Sequence, residues 1–134
     1  MIVDASVAIK WVVEEPGSEP ARKLISEELL AAPELLFVEC ANVLRTLVRQ
    51  GRLGVVPARQ FLAAIDAVPI RGIPIRPHAA TAHAIAVELS RSAYDSLYLA
   101  AALAERAVMV TADEAFARAA MAHPVYASAV RLLS

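Results

Sequence analysis

Met1-Ile2-Val3-Asp4-Ala5-Ser6-Val7-Ala8 is a short apolar stretch that an aspartate interrupts after its third residue. Ile2 and Val3 are β-branched, and residues of this kind favour a buried strand. After the aspartate, apolar residues recur at the spacing of a helix. We therefore predict a very short strand, an acid at its carboxyl end, and a helix that starts near Ser6.

The position of Asp4 allows two interpretations. In open α/β sheets, ligands bind just beyond the carboxyl ends of the strands, so Asp4 is a candidate site residue. An aspartate before a helical run is also a good N-terminal cap, and this role alone would explain it. The other acids of the chain decide between the two interpretations.

Strand-like and helix-like segments alternate along the chain. We predict strands at residues 2–3, 69–75, 108–111 and 125–127, of which the second contains two prolines and suits a sheet edge. Predicted helices cover residues 18–30, 35–50, 57–67, 78–89, 92–105 and a segment after Asp113. The helix over 35–50 is expected to bury Val38, Ala41, Leu44, Leu47 and Val48. The alternation predicts an α/β fold, with a short parallel sheet and helices on both faces.

The composition indicates one globular domain over residues 1–134, which is long enough for a single core. The only cysteine, Cys40, excludes an internal disulfide and a cysteine-based metal cluster, and we expect it in the core. With 13 basic and 14 acidic residues, the net charge of −1 excludes a generally basic nucleic-acid coat but permits a local patch. No apolar run approaches the roughly 18 residues of a membrane span, and no secretory signal is evident. We therefore expect no membrane association and a cytoplasmic location.

Four carboxylates stand among apolar neighbours, with no lysine near them: Asp4, Glu39, Asp95 and Asp113. Acids in such surroundings are rarely fully buried unless they are paired or bind a metal. Two of them follow predicted strands, one lies in the first turn of a helix and one lies inside a helix. A doubly wound sheet can bring all four to one edge. A simpler explanation, without any metal, stays open. The helix dipole favours acids in first turns, and Glu39 would then lie on the solvent-exposed face of its helix.

Four carboxylates at one place repel one another unless a cation joins them. Two unit charges about 4 Å apart repel by roughly 4 kcal/mol at an effective dielectric constant near 20. Oxygen ligands select Mg²⁺ or Mn²⁺, whereas His78, His83 and His123 stand at no spacing typical of metal ligands. A metal on acids without a glycine-rich phosphate loop indicates metal-assisted hydrolysis of a phosphodiester. Ser6 and Thr111 are candidates for holding the water or a phosphate oxygen.

Four segments, taken in order along the chain, resemble the PIN domain: Val3-Asp4-Ala5-Ser6, Glu39-x-x-Asn42-x-Leu44, Tyr94-Asp95-x-Leu97-Tyr98-Leu99-Ala100 and Val110-Thr111-Ala112-Asp113. The small size is similar to that of the VapC toxins of type II toxin–antitoxin systems. The resemblance implies a three-layer PIN fold and a magnesium- or manganese-dependent endoribonuclease with RNA as its substrate. It also implies a homodimer and a cognate antitoxin that keeps the enzyme inactive.

The same resemblance assigns roles to individual residues by motif position. The catalytic, metal-binding acids would be Asp4, Glu39, Asp95 and Asp113. Ser6 and Thr111 would assist them, and Asn42 would have a supporting role.

Two further groups of residues are candidates for contacts with other molecules. Arg45, Arg49 and Arg52 can contact backbone phosphates of RNA, although arginines on such a helix often form only its solvated face. Trp11 and the two valines that follow it stand beside a loop, and we expect them to form an apolar surface for a partner.

Other protein classes fit the sequence less well. A receiver-like signalling module is also small and carries acids at its strand ends, but it requires two adjacent acids after the first strand and a lysine near the last. A phosphatase of the haloacid dehalogenase type requires a second aspartate where Ser6 stands. A PIN-like scaffold without activity, which only binds a protein partner, stays open because intact acids permit cleavage without demonstrating it.

Overall fold

Strand β1 (Ile2–Val3) lies at the centre of a five-stranded sheet in the computed structural model, which describes residues 1–134. The other strands are β2 (Leu30–Pro33), β3 (Ile70–Ile73), β4 (Met109–Thr111) and β5 (Val130–Leu132). All pairs are parallel, in the order β3-β2-β1-β4-β5, and Val3 is in register with Val110. The carboxyl ends of β1 and β4 are therefore neighbours, and β3 lies at the sheet edge as predicted.

Seven helices connect the strands: α1 (Ala5–Ala8), α2 (Ser18–Glu27), α3 (Leu35–Arg49), α4 (Val55–Asp66), α5 (Ala79–Leu89), α6 (Ala93–Glu105) and α7 (Glu114–Met121). Helix α6 packs against β1, β2 and β4, and its middle part is completely buried. Helices α1 and α3 pack against each other, and α7 packs against β4 and β5. This is the predicted three-layer α/β fold. None of the helices combines the length and the apolar character that crossing a membrane requires.

Two strands differ from the sequence-based prediction. Strand β2 was missed because its sequence, Leu-Ala-Ala-Pro, has no β-branched residue, and alanine and proline are uncommon in strands. The last strand was predicted at residues 125–127, but these residues form a turn and the start of a 3-10 helix (Ala127–Ala129), and β5 follows them. Both segments become strands through pairing with partners distant in sequence, which a local pattern does not reveal.

The buried face of α3 also differs from the prediction. It consists of Leu36, Cys40 and Leu44, so the prediction is confirmed for Leu44. Val38 is 67% exposed, and the other three predicted residues are only half-buried: Ala41, Leu47 and Val48. Apolar residues occur on most sides of this helix, so their spacing does not define which side meets the core. Cys40 is fully buried, as expected. Glu39, its neighbour, is half-buried at the border between core and solvent.

Trp11 belongs to the core, so the prediction that it forms part of a partner surface is wrong; the two valines after it, Val12 and Val13, are half-buried. Only 7% of the residue is exposed, and its indole Nε1 donates a hydrogen bond to the backbone oxygen of Ala21 (2.9 Å). A buried tryptophan needs such a partner for its N–H group. This hydrogen bond connects Trp11, which lies just after α1, to helix α2.

Candidate active site

Asp4 lies directly after β1, and only 8% of it is exposed. Its Oδ1 atom accepts hydrogen bonds from the Ser6 hydroxyl (2.6 Å) and from the backbone N–H of Val7 (3.2 Å), so Asp4 is the N-terminal cap of α1. Its Oδ2 atom accepts a hydrogen bond from the Thr111 hydroxyl (2.5 Å). Asp4 therefore caps a helix and also stands at the carboxyl edge of the sheet.

Two hydroxyl groups connect the ends of β1 and β4. The Oγ atom of Ser6 and the Oγ1 atom of Thr111 are 3.3 Å apart. Ser6 Oγ accepts a hydrogen bond from the backbone N–H of Ala112 (2.8 Å), and Thr111 Oγ1 accepts one from that of Asp113 (3.1 Å). Each hydroxyl thus accepts a hydrogen bond from a backbone N–H and donates one to Asp4, which fixes the orientation of the carboxylate.

Burial raises the pKa of the Asp4 carboxyl from its ordinary value of 3.8 to about 6. The hydrogen bonds from Ser6, Thr111 and Val7 lower the pKa because they stabilise the charged form, and the negative charge of Asp95 raises it. A carboxylate enclosed in this way is ionised at neutral pH only at a cost in free energy. A cation bound nearby would remove that cost.

Asp95 lies in the first turn of α6, and its carboxylate has no part in capping the helix. That role belongs to Ser92, whose hydroxyl accepts a hydrogen bond from the backbone N–H of Asp95 (3.0 Å). Burial raises the pKa of Glu39, and the charge of Asp95 raises it further. Asp95 therefore lies within electrostatic range of two other acids, Asp4 after β1 and Glu39 on α3.

Tyr98 orients Glu39, and the sequence-based prediction missed this residue. Its hydroxyl donates a short hydrogen bond to Glu39 Oε1, and only 1% of Tyr98 is exposed. Burial and the neighbouring carboxylate raise the pKa of the phenol, so Tyr98 keeps its proton and stays a hydrogen-bond donor to Glu39. The sequence could have indicated Tyr98 as a site residue. It follows Asp95 by three residues and so lies on the same face of the helix, and a hydroxyl on an apolar helix needs a polar partner.

Asp113 caps α7 and forms an ion pair with an arginine that was also missed. Its Oδ1 atom accepts a hydrogen bond from the backbone N–H of Phe116 (3.0 Å), and its Oδ2 atom lies 3.4 Å from Nη2 of Arg91. The Nε atom of Arg91 is buried without a hydrogen-bond partner. The prediction considered only lysines as counter-ions, although Arg91 stands four residues before Asp95.

The oxygen atoms of these acids suit a hard divalent cation chemically, but their side chains do not form a closed metal site in this structure. No group of three or more histidine, cysteine, aspartate or glutamate side chains converges to hold a metal ion. The charge of Asp95 acts on both Asp4 and Glu39, whereas Asp113 is paired with Arg91. The assignment of the four acids as metal ligands stays a prediction.

The three arginines of the sequence-based prediction lie in two different places. Arg52 lines a cleft to which Ser6 also contributes, at the carboxyl edge of the sheet. Arg45 and Arg49 line an apolar groove between α3 and α4. Asn42, on α3, is exposed. Of the three arginines, Arg52 is the one that shares a cleft with the hydroxyl network.

A model of the PIN domain family matches residues 1–121 of the sequence. The chain belongs to the PIN domain family. Relatives of this PIN domain include a VapC ribonuclease from Mycobacterium bovis and ribonuclease VapC9 from Mycobacterium tuberculosis. Each is 34% identical over 118 residues, which cover 84% of this chain and 85% of the relative. This PIN domain is therefore a member of the VapC family.

Two solved structures resemble this PIN domain. PAE2754 from Pyrobaculum aerophilum matches with a TM-score of 0.71 and 25% identity, over 88% of this chain and 77% of that one. VapC20 from Mycobacterium tuberculosis, a toxin that cleaves the sarcin-ricin loop, matches with a TM-score of 0.69 and 17% identity, over 88% and 93%. The likenesses confirm the PIN fold, and family membership sets aside the receiver-like and phosphatase alternatives.

Proposed function

We propose that this PIN domain is an endoribonuclease that hydrolyses RNA phosphodiester bonds with the help of a bound Mg²⁺ or Mn²⁺ ion. The observation that carries the proposal is the enclosed carboxylate of Asp4, which the hydroxyls of Ser6 and Thr111 orient at the carboxyl edge of the sheet. Asp95 adds a second negative charge within electrostatic range. Its relatives are ribonucleases by name, which supports the same activity here.

The residues that would hold the cation are Asp4, Glu39 and Asp95, with Asp113 as a fourth acid at the same edge. All of their donor atoms are oxygens, which favours Mg²⁺ or Mn²⁺ over softer metals. When bound, such an ion polarises a phosphoryl oxygen and supplies hydroxide from a coordinated water.

The side chains around the acids prepare them for this role. Asp4 accepts two hydrogen bonds at Oδ1, from Ser6 and Val7, and one at Oδ2, from Thr111, so its remaining lone pair lies on Oδ2 and has a fixed direction. Tyr98 orients Glu39 in the same way. With a pKa of about 6, Asp4 is mostly ionised at neutral pH and able to bind a cation.

Cleavage of RNA by the purified protein tests the proposal. A labelled single-stranded RNA should be cut with Mg²⁺ or Mn²⁺ and stay intact with EDTA. Asp4→Asn should abolish cleavage, whereas Asp66→Asn, which changes an exposed aspartate at the end of α4, should not. Full activity of Asp4→Asn would contradict the proposed site. A parent protein that cuts no RNA with either ion would favour the inactive PIN scaffold.

A cognate antitoxin and a homodimer complete the proposal, because the resemblance to VapC toxins implies both. Several apolar side chains are exposed and available for such contacts: Val38, Val55, Val56, Val87, Met121 and Val125. Light scattering of the purified protein tests the dimer. Growth of cells that express the protein, with and without a small gene next to its own, tests the antitoxin. A monomer that inhibits growth equally in both cases would contradict this part.

A further inference from the structure

A cleft of about 320 Å³ lies beside the hydroxyl network, and we call it the Ser6 cleft. Its lining includes Ser6, Ile9, Lys10, Val43, Leu47 and Arg52. Ser6 connects the cleft to the acids, because its hydroxyl lies 2.6 Å from Oδ1 of Asp4. A substrate strand that reaches Asp4 therefore has a recess next to the place of cleavage.

Lys10 is held in position at this cleft. Its Nζ atom donates to Oε1 of Glu15 (3.1 Å) and to the backbone oxygen of Pro16 (2.8 Å), and its side chain is 16% exposed. An ammonium group has three N–H donors, so one is left for a ligand. Lys10 also lines a neighbouring cleft of about 410 Å³ that includes Glu114. The cation therefore stands where two recesses meet.

Arg52 is directed to the Ser6 cleft by the way in which α3 ends. The backbone N–H of Arg52 bonds to the oxygen of Leu47 (2.9 Å), and that of Gly51 bonds to the oxygen of Val48 (3.0 Å). These two bonds form a Schellman motif, and Gly51 has the positive φ of 70° that the motif requires. The only side-chain hydrogen bond of the Arg52 guanidinium is to Gln50 Oε1, at 3.4 Å, and the guanidinium forms no salt bridge. Its donors are thus largely free.

Positive charge exceeds negative charge in the Ser6 cleft. Glu15 is the only acid in its lining, and Lys10 already pairs with it. Arg52 therefore adds an uncompensated positive charge, in a protein whose net charge is −1. In such a protein, contacts with a polyanion depend on local groups of this kind.

We propose that Lys10 and Arg52 form a subsite in the Ser6 cleft that binds the RNA backbone phosphate next to the one that is cleaved. This inference rests on the proposed ribonuclease function. The two cations hold the strand so that the neighbouring phosphodiester lies at the carboxyl edge with Asp4. Because they contact phosphate, they contribute affinity without sequence preference.

Binding of a fluorescein-labelled single-stranded RNA, measured by anisotropy at several salt concentrations, tests the subsite. The measurement uses the full chain with Asp95→Asn and Mg²⁺, so that the RNA stays intact. Lys10→Gln and Arg52→Gln should each weaken binding several-fold and reduce the slope of log affinity against log salt by about 0.7, the value for one phosphate contact in single strands. In the active protein, the same changes should raise KM more than they lower kcat.

Charge-conserving and remote variants make the result specific. Lys10→Arg and Arg52→Lys should retain most of the affinity, which shows that the charge matters and that the fold is intact. Lys23→Gln and Arg118→Gln remove exposed cations from α2 and α7 and should bind RNA like the parent.

The subsite is wrong if Lys10→Gln and Arg52→Gln leave the affinity and the salt slope unchanged. It is also wrong if only Arg45→Gln and Arg49→Gln weaken binding, which would place the strand in the groove between α3 and α4. If the parent cleaves RNA while Lys10→Gln and Arg52→Gln bind RNA as tightly as the parent does, the subsite alone is wrong and the proposed enzyme stands. Tight, salt-dependent RNA binding that needs Lys10 and Arg52, without cleavage under any metal, would instead overturn the proposed enzyme and leave the subsite.

Discussion

Asp4 stabilises local structure and prepares chemistry with the same two oxygen atoms. Its bond to the backbone of Val7 caps α1, and a cap of this kind typically contributes about 0.5–2 kcal/mol. Its bond from Thr111 joins the ends of β1 and β4. Burial of Asp4 opposes these contributions, because a buried carboxyl destabilises the folded protein once it has lost its proton and carries a charge.

The metal-free protein should therefore lose stability through Asp4 as the pH rises from about 4 to about 6. Well below pH 3.8 the residue is protonated in the folded and the unfolded state, so it has no effect. Between 3.8 and about 6 the unfolded state loses the proton first, and the folded state is progressively disfavoured. Above pH 6 the penalty is constant, at roughly 3 kcal/mol for a shift of about two pKa units.

Urea unfolding of the parent and of Asp4→Asn in EDTA, at pH values from 4 to 7, measures this contribution. The difference in unfolding free energy between the two proteins should change in favour of Asp4→Asn as the pH rises, then level off above pH 6. Asp66→Asn, at an exposed position, should follow the parent. A difference that is the same at all pH values would contradict the raised pKa.

Asp95→Asn should separate stability from activity. Ser92 caps α6, so loss of the Asp95 charge leaves the helix start intact and relieves the repulsion of Asp4 and Glu39. The metal-free mutant should melt at or above the temperature of the parent. RNA cleavage should fall by more than about 100-fold, since even residues that only orient metal ligands are typically worth about 10–100-fold. A mutant that cuts RNA like the parent would reduce Asp95 to a helix-start residue.

Tyr98→Phe should weaken cleavage by leaving Glu39 without its hydrogen bond. We expect a loss of about 10–100-fold in activity and of about 1–2 kcal/mol in stability, because the lost bond joins a hydroxyl to a charged group. Tyr94→Phe is the matched control on the same helix, since Tyr94 is 65% exposed. If the two variants are equally active, Tyr98 does not orient Glu39 for catalysis.

At the scale of elements, the positions of the acids were predictable from local rules. Asp4 and Asp113 each follow a strand and accept a hydrogen bond from a backbone N–H three residues later. Asp95 stands three residues after the serine that caps α6. These capping contacts and first-turn positions involve residues only three apart in the sequence, so a local sequence pattern is enough to predict them.

The contacts between elements were not predictable in the same way. Tyr98 and Glu39 are 59 residues apart, and Arg91 and Asp113 are 22 apart. Their pairing depends on how α6 lies against α3 and how the end of α5 lies against the start of α7. Strand β2 was missed for a related reason, because alanines become a strand only between two partners.

The turn that ends α3 provides a clean test of a single element. Gly51 has φ of 70°, and a β-carbon added there would meet no atom within 4 Å. Gly51→Ala should therefore lose about 1–2 kcal/mol of stability from backbone conformation alone, without a clash. Ser90, which ends α5 with φ of 53°, is the converse case, and Ser90→Gly should not lower stability. Urea unfolding of both variants measures the two effects, and a fully stable Gly51→Ala would contradict this account.

At the scale of the whole molecule, the proposed cation should stabilise the fold. An ion that binds only the folded state adds about 2.7 kcal/mol at a concentration 100 times its Kd. The melting temperature should rise with millimolar Mg²⁺ or Mn²⁺ and return to its starting value with EDTA. Asp4→Asn and Asp95→Asn should show a smaller rise, whereas Asp66→Asn should respond like the parent. A parent melting temperature that neither ion changes would count against the acidic site.

The central position of β1 in the sheet has a consequence for folding of the nascent chain on the ribosome. This strand is synthesised before the other four strands of the sheet, yet it pairs with β4, more than a hundred residues later, and Asp4 accepts the hydrogen bond of Thr111 only after that pairing. At a translation rate of about 5–20 residues per second, β1 waits about 5–20 s for that partner. The four acids of the nascent chain therefore stay apart on the ribosome until β4 has been made. The ribonuclease that we propose should therefore become active only after β4 has been synthesised and has paired with β1.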